Sequence, residues 1–179
     1  MEYKIPQQLE TERLVLEKIT IDHWQPLHRY YADEEGTRYT TGKPLTEGES
    51  WRLVAALIGH WEIHGYGPYV LRRRSDSEVL GVCGLWYPGD WPEPEIKWAL
   101  INEFAGQGYA SEATRAVQRS AAAHLPQQRL ISLIVAENHA SVRLAEAVGA
   151  RFERSMAFRG KTAQIYRHPE PETLATEME

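Results

Sequence analysis

The sequence predicts an α/β protein of one domain, in which helices flank a mixed central sheet. Three observations predict it. Periodic segments follow the order strand, two helices, three strands, helix, strand, helix, two strands, a mixture that packs as a sheet with helices laid on it. The chain has 179 residues, enough to bury one sizeable core and few for two. No internal repeat, low-complexity tract or interdomain linker divides it.

RLVLEKI (13–19) alternates as a first strand. Asp22 is placed to cap a helix with Trp24, Leu27, His28 and Tyr31 on one side. Thr46 and Glu49 have capping-box spacing, and the helix after them is expected to run to His64. Its apolar positions Trp51, Val54, Ala55, Leu57, Ile58 and Trp61 follow the three-four rhythm of an amphipathic helix. GYGPYVLRRR then reads as a strand, SDSE as its turn and VLGVCGLW as the returning strand. YPGDWPEP holds three prolines and a glycine, which exclude regular pairing, so it is a loop. EIKWAL (95–100) is the fourth strand, and SEATRAVQRSAAAHL is a helix closed by Pro126. LISLIV (130–135) is a short apolar run, expected to be a strand buried on both faces. ASVRLAEAV (140–148) is a short helix ended by Gly149, and RFERSMAF with AQIYRH forms a hairpin around RGKT. The domain is expected to span residues 9–168. The acidic tail from 169 to 179 has little to bury and is expected to be mobile.

The bulk chemistry excludes several function classes. A net charge of −5 argues against a general nucleic-acid binder, which carries a basic excess. RRR at 72–74 is the only dense basic run, and beside SDSE it reads as a solvated hairpin tip. Cys83 is the only cysteine, so no intrachain disulfide framework exists, as expected in a reducing compartment. MEYKIPQQLE is mostly polar, and no apolar run approaches the ~20 residues that cross a bilayer. The expectation is a cytoplasmic soluble protein with no membrane and no nucleic-acid partner.

The informative stretch is FAGQGYASEAT (104–114), where a strand turns into a helix. A bare reversal needs one glycine at most. Here Gly106 and Gly108 allow close approach to backbone, Ala110 keeps the wall low, and Ser111 adds a hydroxyl at the first turn. A helix N-terminus has unpaired N–H groups and the positive end of the peptide dipole, so the segment makes a cradle for a phosphate or pyrophosphate. A tight strand-to-helix joint is the plain alternative. A Walker loop needs Gly-Lys-Ser/Thr, which is absent. A dinucleotide fingerprint needs a third glycine where Ser111 stands and an acid about 20 residues on, whereas Glu137 comes later and three strands precede the motif.

A second segment, AENHASVRLAEAVGARF, follows LISLIV, with Asn138 ending the strand and Ser141 opening the helix. With these two motifs at this spacing, the chain resembles a GNAT-type (Gcn5-related) N-acetyltransferase. It is most similar to the branch of ribosomal-protein alanine N-acetyltransferases. LETERLVLEKIT resembles that branch's opening strand, EIKWALINEFAGQGYASEA its acetyl-CoA motif, and SLIVAENHASVRLAEAVGARF its second segment; together the likeness covers residues 9 to 167. The resemblance implies a mostly antiparallel sheet of six or seven strands, four flanking helices, and a cofactor cleft where the fourth strand splays from the fifth at a bulge. It implies that the pantetheine arm of acetyl-CoA pairs with the fourth strand, here around Trp98, Ala99 and Leu100. It implies that backbone N–H groups of Gly106, Gln107, Gly108, Tyr109, Ala110 and Ser111 hold the pyrophosphate, and that Asn138 contacts the pantetheine arm. The family often carries arginine or glutamine just ahead of these glycines, where this chain has Ala105.

Amine acetylation requires removal of a proton from the ammonium, donors for the oxyanion, and help for the leaving thiolate. Glu95 begins the fourth strand, near where the amine should arrive, and is the candidate base or water-orienting group; a surface carboxylate is the alternative. Glu93 and Asp90 are fallbacks. Many relatives use a tyrosine for the thiolate, but the helix after Asn138 has none, and Ser141 is the nearest hydroxyl; it could equally be a plain helix-start residue. Cys83 in an apolar strand reads as core. His60 and His64 lie four apart on a helix without a third metal ligand, so a solvated or acceptor-site role is expected and no metal. Trp86 and Trp91 flank the loop before Glu95 and could wall an acceptor pocket.

The expected function is transfer of an acetyl group from acetyl-CoA to a primary amine, on a protein N-terminus or a small molecule, by direct attack in a ternary complex. A sensor or scaffold that binds acyl-CoA without chemistry is the alternative, favoured by Ala105 and the missing tyrosine. A nucleotide-binding α/β protein is a third. The acceptor is not legible, and a homodimer stays open.

Overall fold

The computed structural model describes residues 2–176. All seven expected strands form, and an eighth, β1 (Gln8–Glu10), precedes them; three residues are too few to show a period. The sheet order is β1, β2 (Leu14–Lys18), β3 (Pro68–Arg73), β4 (Val79–Trp86), β5 (Glu95–Leu100), β6 (Ile131–Val135), β8 (Lys161–Arg167), β7 (Arg151–Phe158). Neighbours pair antiparallel except β5 and β6, which are parallel. A parallel pair needs a crossover, which the longest helix of this half, α4 (Tyr109–His124), supplies.

Six helices form among the described residues: α1 (Trp24–Tyr31), α2 (Glu34–Thr37), α3 (Glu47–His64), α4, α5 (His139–Ala147) and α6 (Pro171–Thr176). Sequence periodicity finds four, because α2 and α6 are each under two turns. α2 is held by its cap, with Asp33 Oδ2 accepting from Gly36 N–H at 2.9 Å. Asp22 is not a cap. It lies inside a 3-10 turn over Ile21–His23 that leads into α1, and Thr20 stands at the turn's start with its N–H donated to His23 Nδ1. The Thr46–Glu49 box forms at 3.2 Å in both directions, and Gly65 at φ 76° closes α3. Val54, Leu57 and Trp61 face the core, while Trp51, counted with them in the apolar stripe, is 46% exposed. The tail does not stay irregular: Pro171–Thr176 is helical and packs on α4, and its last three residues lie outside the described residues. No helix among the described residues is long and apolar enough to cross a membrane.

Alternation along β4 and β5 sorts the two faces. Cys83 meets Thr114 of α4, and Trp86 stacks on His60 of α3; three residues apart in a strand, they point to opposite faces. Trp86 pairs with Glu95 across β4–β5, so Glu95 and Lys97 share the α1–α3 face, whereas Trp98, paired with Cys83, faces α4 and α5. The core fills both layers with side chains such as Leu16, Leu57, Trp61, Tyr69, Leu85 and Ile96, all at or near zero exposure. Burying each such side chain contributes about 1.5–3 kcal/mol.

Gly81 sets how close β5 lies to β4. It adopts φ 154°, and a Cβ there would sit 2.0 Å from the Ala99 carbonyl oxygen. Any side chain would push β5 outward, against its own hydrogen-bonded register. Gly81→Ala is expected to lose at least about 2 kcal/mol of stability, from strained backbone plus overpacking. Urea unfolding checks this; an unchanged midpoint would mean that β5 can shift freely.

Candidate functional site

β5 and β6 share one register pair, Glu95 with Ile131. The Ile131 N–H donates to Pro94 O at 3.1 Å. Beyond that rung, side chains bridge the strands. Leu133 N–H donates to Glu95 Oε2 at 2.9 Å, and Ser132 Oγ donates to Ile96 O at 2.7 Å. After Leu133 the strands part. The expected splay is present, but without the bulge: β5 keeps unbroken register with β4 from Glu95 to Leu100. Departure of β6, wedged by two side chains, opens the cleft.

Ser132 is buried and oriented by His168. Gln118 Nε2 donates to His168 Nδ1 and to Val148 O, each at 2.9 Å, which leaves His168 Nε2–H to donate to Ser132 Oγ at 2.8 Å. Burial, with Arg167 beside it, pushes the His168 pKa down to about 3, so the ring stays neutral and the relay keeps one direction.

The parted strands leave a cavity of about 440 Å³ that passes through the sheet. On the α4–α5 side it is lined by Trp98, Asn138 and Ser141; on the other by Tyr31, Trp86, Glu95 and Lys97, with Phe158 and Arg159 from the β7–β8 end. Pro94 O and Ile96 O face β6, so by alternation Trp98 and Leu100 turn their main-chain groups into the cleft. Ala99 turns its groups towards β4 and contributes to the cavity only as a small side chain.

Glu95 is no surface carboxylate. It is 6% exposed, with Oε1 accepting from Trp91 Nε1 at 2.8 Å and Oε2 from Leu133 N–H. Burial raises its pKa to about 7, against the pull of those two donors and Lys97. The fallbacks are engaged elsewhere, Glu93 with Arg154 and Arg167 and Asp90 with Arg159. Asn138 caps α5, its Oδ1 accepting from Ser141 N–H at 3.3 Å, which leaves its amide nitrogen free to donate. Ser141 Oγ accepts from Trp98 Nε1 at 3.1 Å; an indole cannot accept, so the serine proton can point elsewhere.

The loop at the head of α4 lies apart from this cavity's lining. Gly106 and Gly108 have φ 77° and 82°, and α4 starts at Tyr109. Among the described residues, the N–H groups from Gly106 to Ser111 have no acceptor. Tyr109 and Ala110 bury their side chains, so only their backbone is offered. Arg13 ties the loop from behind. It donates to Gln107 O at 2.9 Å, pairs with Glu112 at 2.8 Å and covers the Tyr109 ring. A Cβ at Gly108 would meet Arg13 at 3.3 Å, whereas one at Gly106 would enter open space.

Other candidates resolve into structure. His60 is buried, not solvated: its Nδ1–H donates to Tyr66 O, and Nε2 accepts from Tyr87 N–H, anchoring the 87–94 loop. Burial lowers its pKa to about 4. No metal-holding group of histidine, cysteine and acid side chains occurs among the described residues. Arg72, Arg73 and Arg74 bind Glu17, Asp76 and Thr11 O within the molecule. Cys83 is buried against α4 with its pKa pushed up to about 12.

An open mostly antiparallel sheet, one parallel splayed pair and a glycine turn into a crossover helix occur together here. The sequence profile of the Acetyltransferase (GNAT) domain matches residues 13–151. The chain belongs to this family. An uncharacterized N-acetyltransferase of Bacillus licheniformis is 26% identical over 147 residues, 81% of this chain and 83% of that protein. An acetyltransferase structure from Agrobacterium tumefaciens superposes with a TM-score of 0.81 at 26% identity, covering 95% of this chain and 98% of that one. RimL, a ribosomal alpha-N-protein acetyltransferase in complex with coenzyme A, shares the fold at 20% identity with a TM-score of 0.72, covering 93% and 98%. GNAT chemistry is acyl transfer from acetyl-CoA, and the residues here fit that cofactor. Unpaired N–H groups suit a pyrophosphate, and a free β-strand edge suits an arm that carries amides.

Sequence reasoning missed Ser132, Gln118 and His168. Ser132 sits in an apolar run, and only its distant partners reveal a function for its hydroxyl. Ser132→Ala would leave Ile96 O and His168 Nε2 buried without partners. It is expected to cost about 1–3 kcal/mol, read by urea unfolding. No loss would mean that the relay is incidental to the β5–β6 joint.

Proposed function

We propose that this chain acetylates a primary amine by direct attack in a ternary complex, with Glu95 as general base. The observation that carries the reading is the buried carboxylate of Glu95, its pKa raised by that burial, on the wall of a through-sheet cavity beside the free edge of β5. Acetyl-CoA would bring the acetyl group as a thioester. On the chain's side, N–H groups of Gly106 to Ser111 meet the pyrophosphate, and Trp98 and Leu100 offer main-chain groups to the pantetheine arm. Asn138 adds its free amide N–H. The incoming ammonium loses a proton to Glu95, whose pKa near 7 suits a base working at neutral pH. A backbone N–H of β5 that faces the cleft receives the developing oxyanion. The Ser141 hydroxyl donates to the departing sulfur. Ala105 withholds a side-chain contact but leaves all these backbone donors in place. Nothing in the scheme needs a cysteine, and Cys83 faces the wrong side of the sheet.

Acetyl-CoA at 100 times its Kd is expected to stabilise the fold by about 2.7 kcal/mol, seen as a rise in Tm. Gly106→Glu, which sends a carboxylate into the open side of the cradle, should remove that rise. Its positive φ costs only about 1–2 kcal/mol in the unliganded protein. A variant that still binds acetyl-CoA like the parent would locate the cradle elsewhere.

The parent kcat/KM is expected to rise with pH through about 7, because the base works only when ionised. Glu95→Gln should lose that limb and about 100- to 10,000-fold in turnover, with acetyl-CoA affinity little changed. Thiol release with a panel of amines reads both. Acetyl-CoA binding without turnover of any amine would favour the sensor reading instead.

A further inference from the structure

We propose that the acceptor is an amine that also carries a carboxylate, the simplest case being a free α-amino acid with an apolar side chain. The proposal rests on the acetyltransferase reading and specifies its acceptor side.

Lys97 projects from β5 into the acceptor side of the cavity, two residues from Glu95 and on the same face. At about 3.3 Å per residue, their Cα atoms lie about 6.6 Å apart. The Lys97 ammonium sits 4.6 Å from the Trp86 ring centroid and makes no ion pair among the described residues. Burial lowers its pKa, although Glu95 nearby favours the charged form. A half-buried cation of this kind gains most from an anion that arrives with the ligand. Tyr31 bounds the same cavity from α1 and is 3% exposed, while its hydroxyl is closed off from open space.

The lining charges agree. Lys97, Arg159 and Lys161 line the cavity, against the single carboxylate of Glu95. Arg159 is already held by Asp90. A polyamine would bring further positive charge to Lys97, and a protein N-terminus has its adjacent carboxyl tied up as an amide. An α-amino acid instead presents its ammonium to Glu95 and its carboxylate to Lys97. Leu53, Tyr39 and Phe158 offer apolar walls for its side chain. In the transfer, an N–C bond forms and the thioester C–S bond breaks; the ammonium gives one proton to Glu95, and a second proton from the nitrogen reaches the departing sulfur by way of the Ser141 hydroxyl, so that CoA leaves as the thiol.

The test compares phenylalanine and leucine with their carboxamides and with phenethylamine, by kcat/KM and by thermal shift of the CoA-loaded protein. The parent should prefer the free acids by about tenfold or more. Lys97→Met should bring acid and amide to near equality while keeping acetyl-CoA affinity. Equal use of acid and amide by the parent, or a preference that survives Lys97→Met, overturns the proposal and leaves the acetyltransferase reading intact. If neither acids nor amides turn over, and neither shifts the CoA-loaded protein, this proposal falls; turnover of phenethylamine or of another amine would keep the acetyltransferase reading.

Discussion

A single main-chain rung joins β5 to β6, and the side chains of Glu95 and Ser132 complete the joint. A sheet normally continues its ladder until a strand ends, because unpaired main-chain groups are costly when buried. Here Glu95 takes the Leu133 N–H and Ser132 satisfies the Ile96 carbonyl. The ladder can therefore stop early without orphaned groups at the apex of the opening. Beyond it, Trp98 and Leu100 face a space wide enough for a ligand. Without the two side chains the strands would either zip shut or lose the contact that holds β6, β7 and β8 on the sheet.

The same wedge has an electrostatic consequence. Reaching Leu133 requires Glu95 to be buried, and burial raises its pKa to about 7. Two hydrogen bonds limit the rise, so the group is neither an ordinary carboxylate nor a permanent acid. A joint that positions the strand thereby also tunes the carboxyl for the role of base proposed above. His168 and His60 show the opposite outcome of burial. Each is neutral, each has both ring nitrogens occupied, and each serves only to hold geometry.

Much of the fold was legible because its signals are local. The box at Thr46, the turn around Ser75 to Glu78 and the period of each strand lie within a few residues. The Gly106–Ser111 turn was readable for the same reason, since backbone donors at a helix start need only small residues in sequence, whereas Asn138 read as the end of a strand and is the cap of α5. What was not legible depends on pairs far apart. Ser132 means nothing without His168, and the burial of Glu95 depends on Trp91 and on Leu133. Asp22 reads as a cap because propensity cannot see the 3-10 turn in which it lies. Trp51 fits the apolar stripe by period, yet is 46% exposed, while its neighbour Ser50 is buried with its Oγ 2.7 Å from His28 Nδ1 of α1.

The two sides of the cavity are therefore built by different means. On the side proposed for the cofactor, main-chain N–H and C=O groups face the opening, and their positions follow from the fold and tolerate most side chains. The side proposed for the acceptor is walled by the side chains of Tyr31, Trp86, Lys97 and Phe158, which come from α1, β4, β5 and β7. Substitution on that side can change the acceptor without moving a strand. A family at about a quarter identity can then keep one architecture and one thioester donor while its members differ in the amine they accept. Similarity of fold transfers the chemistry of the donor; the acceptor must be read from the charges and unpartnered groups that each chain places on its own wall.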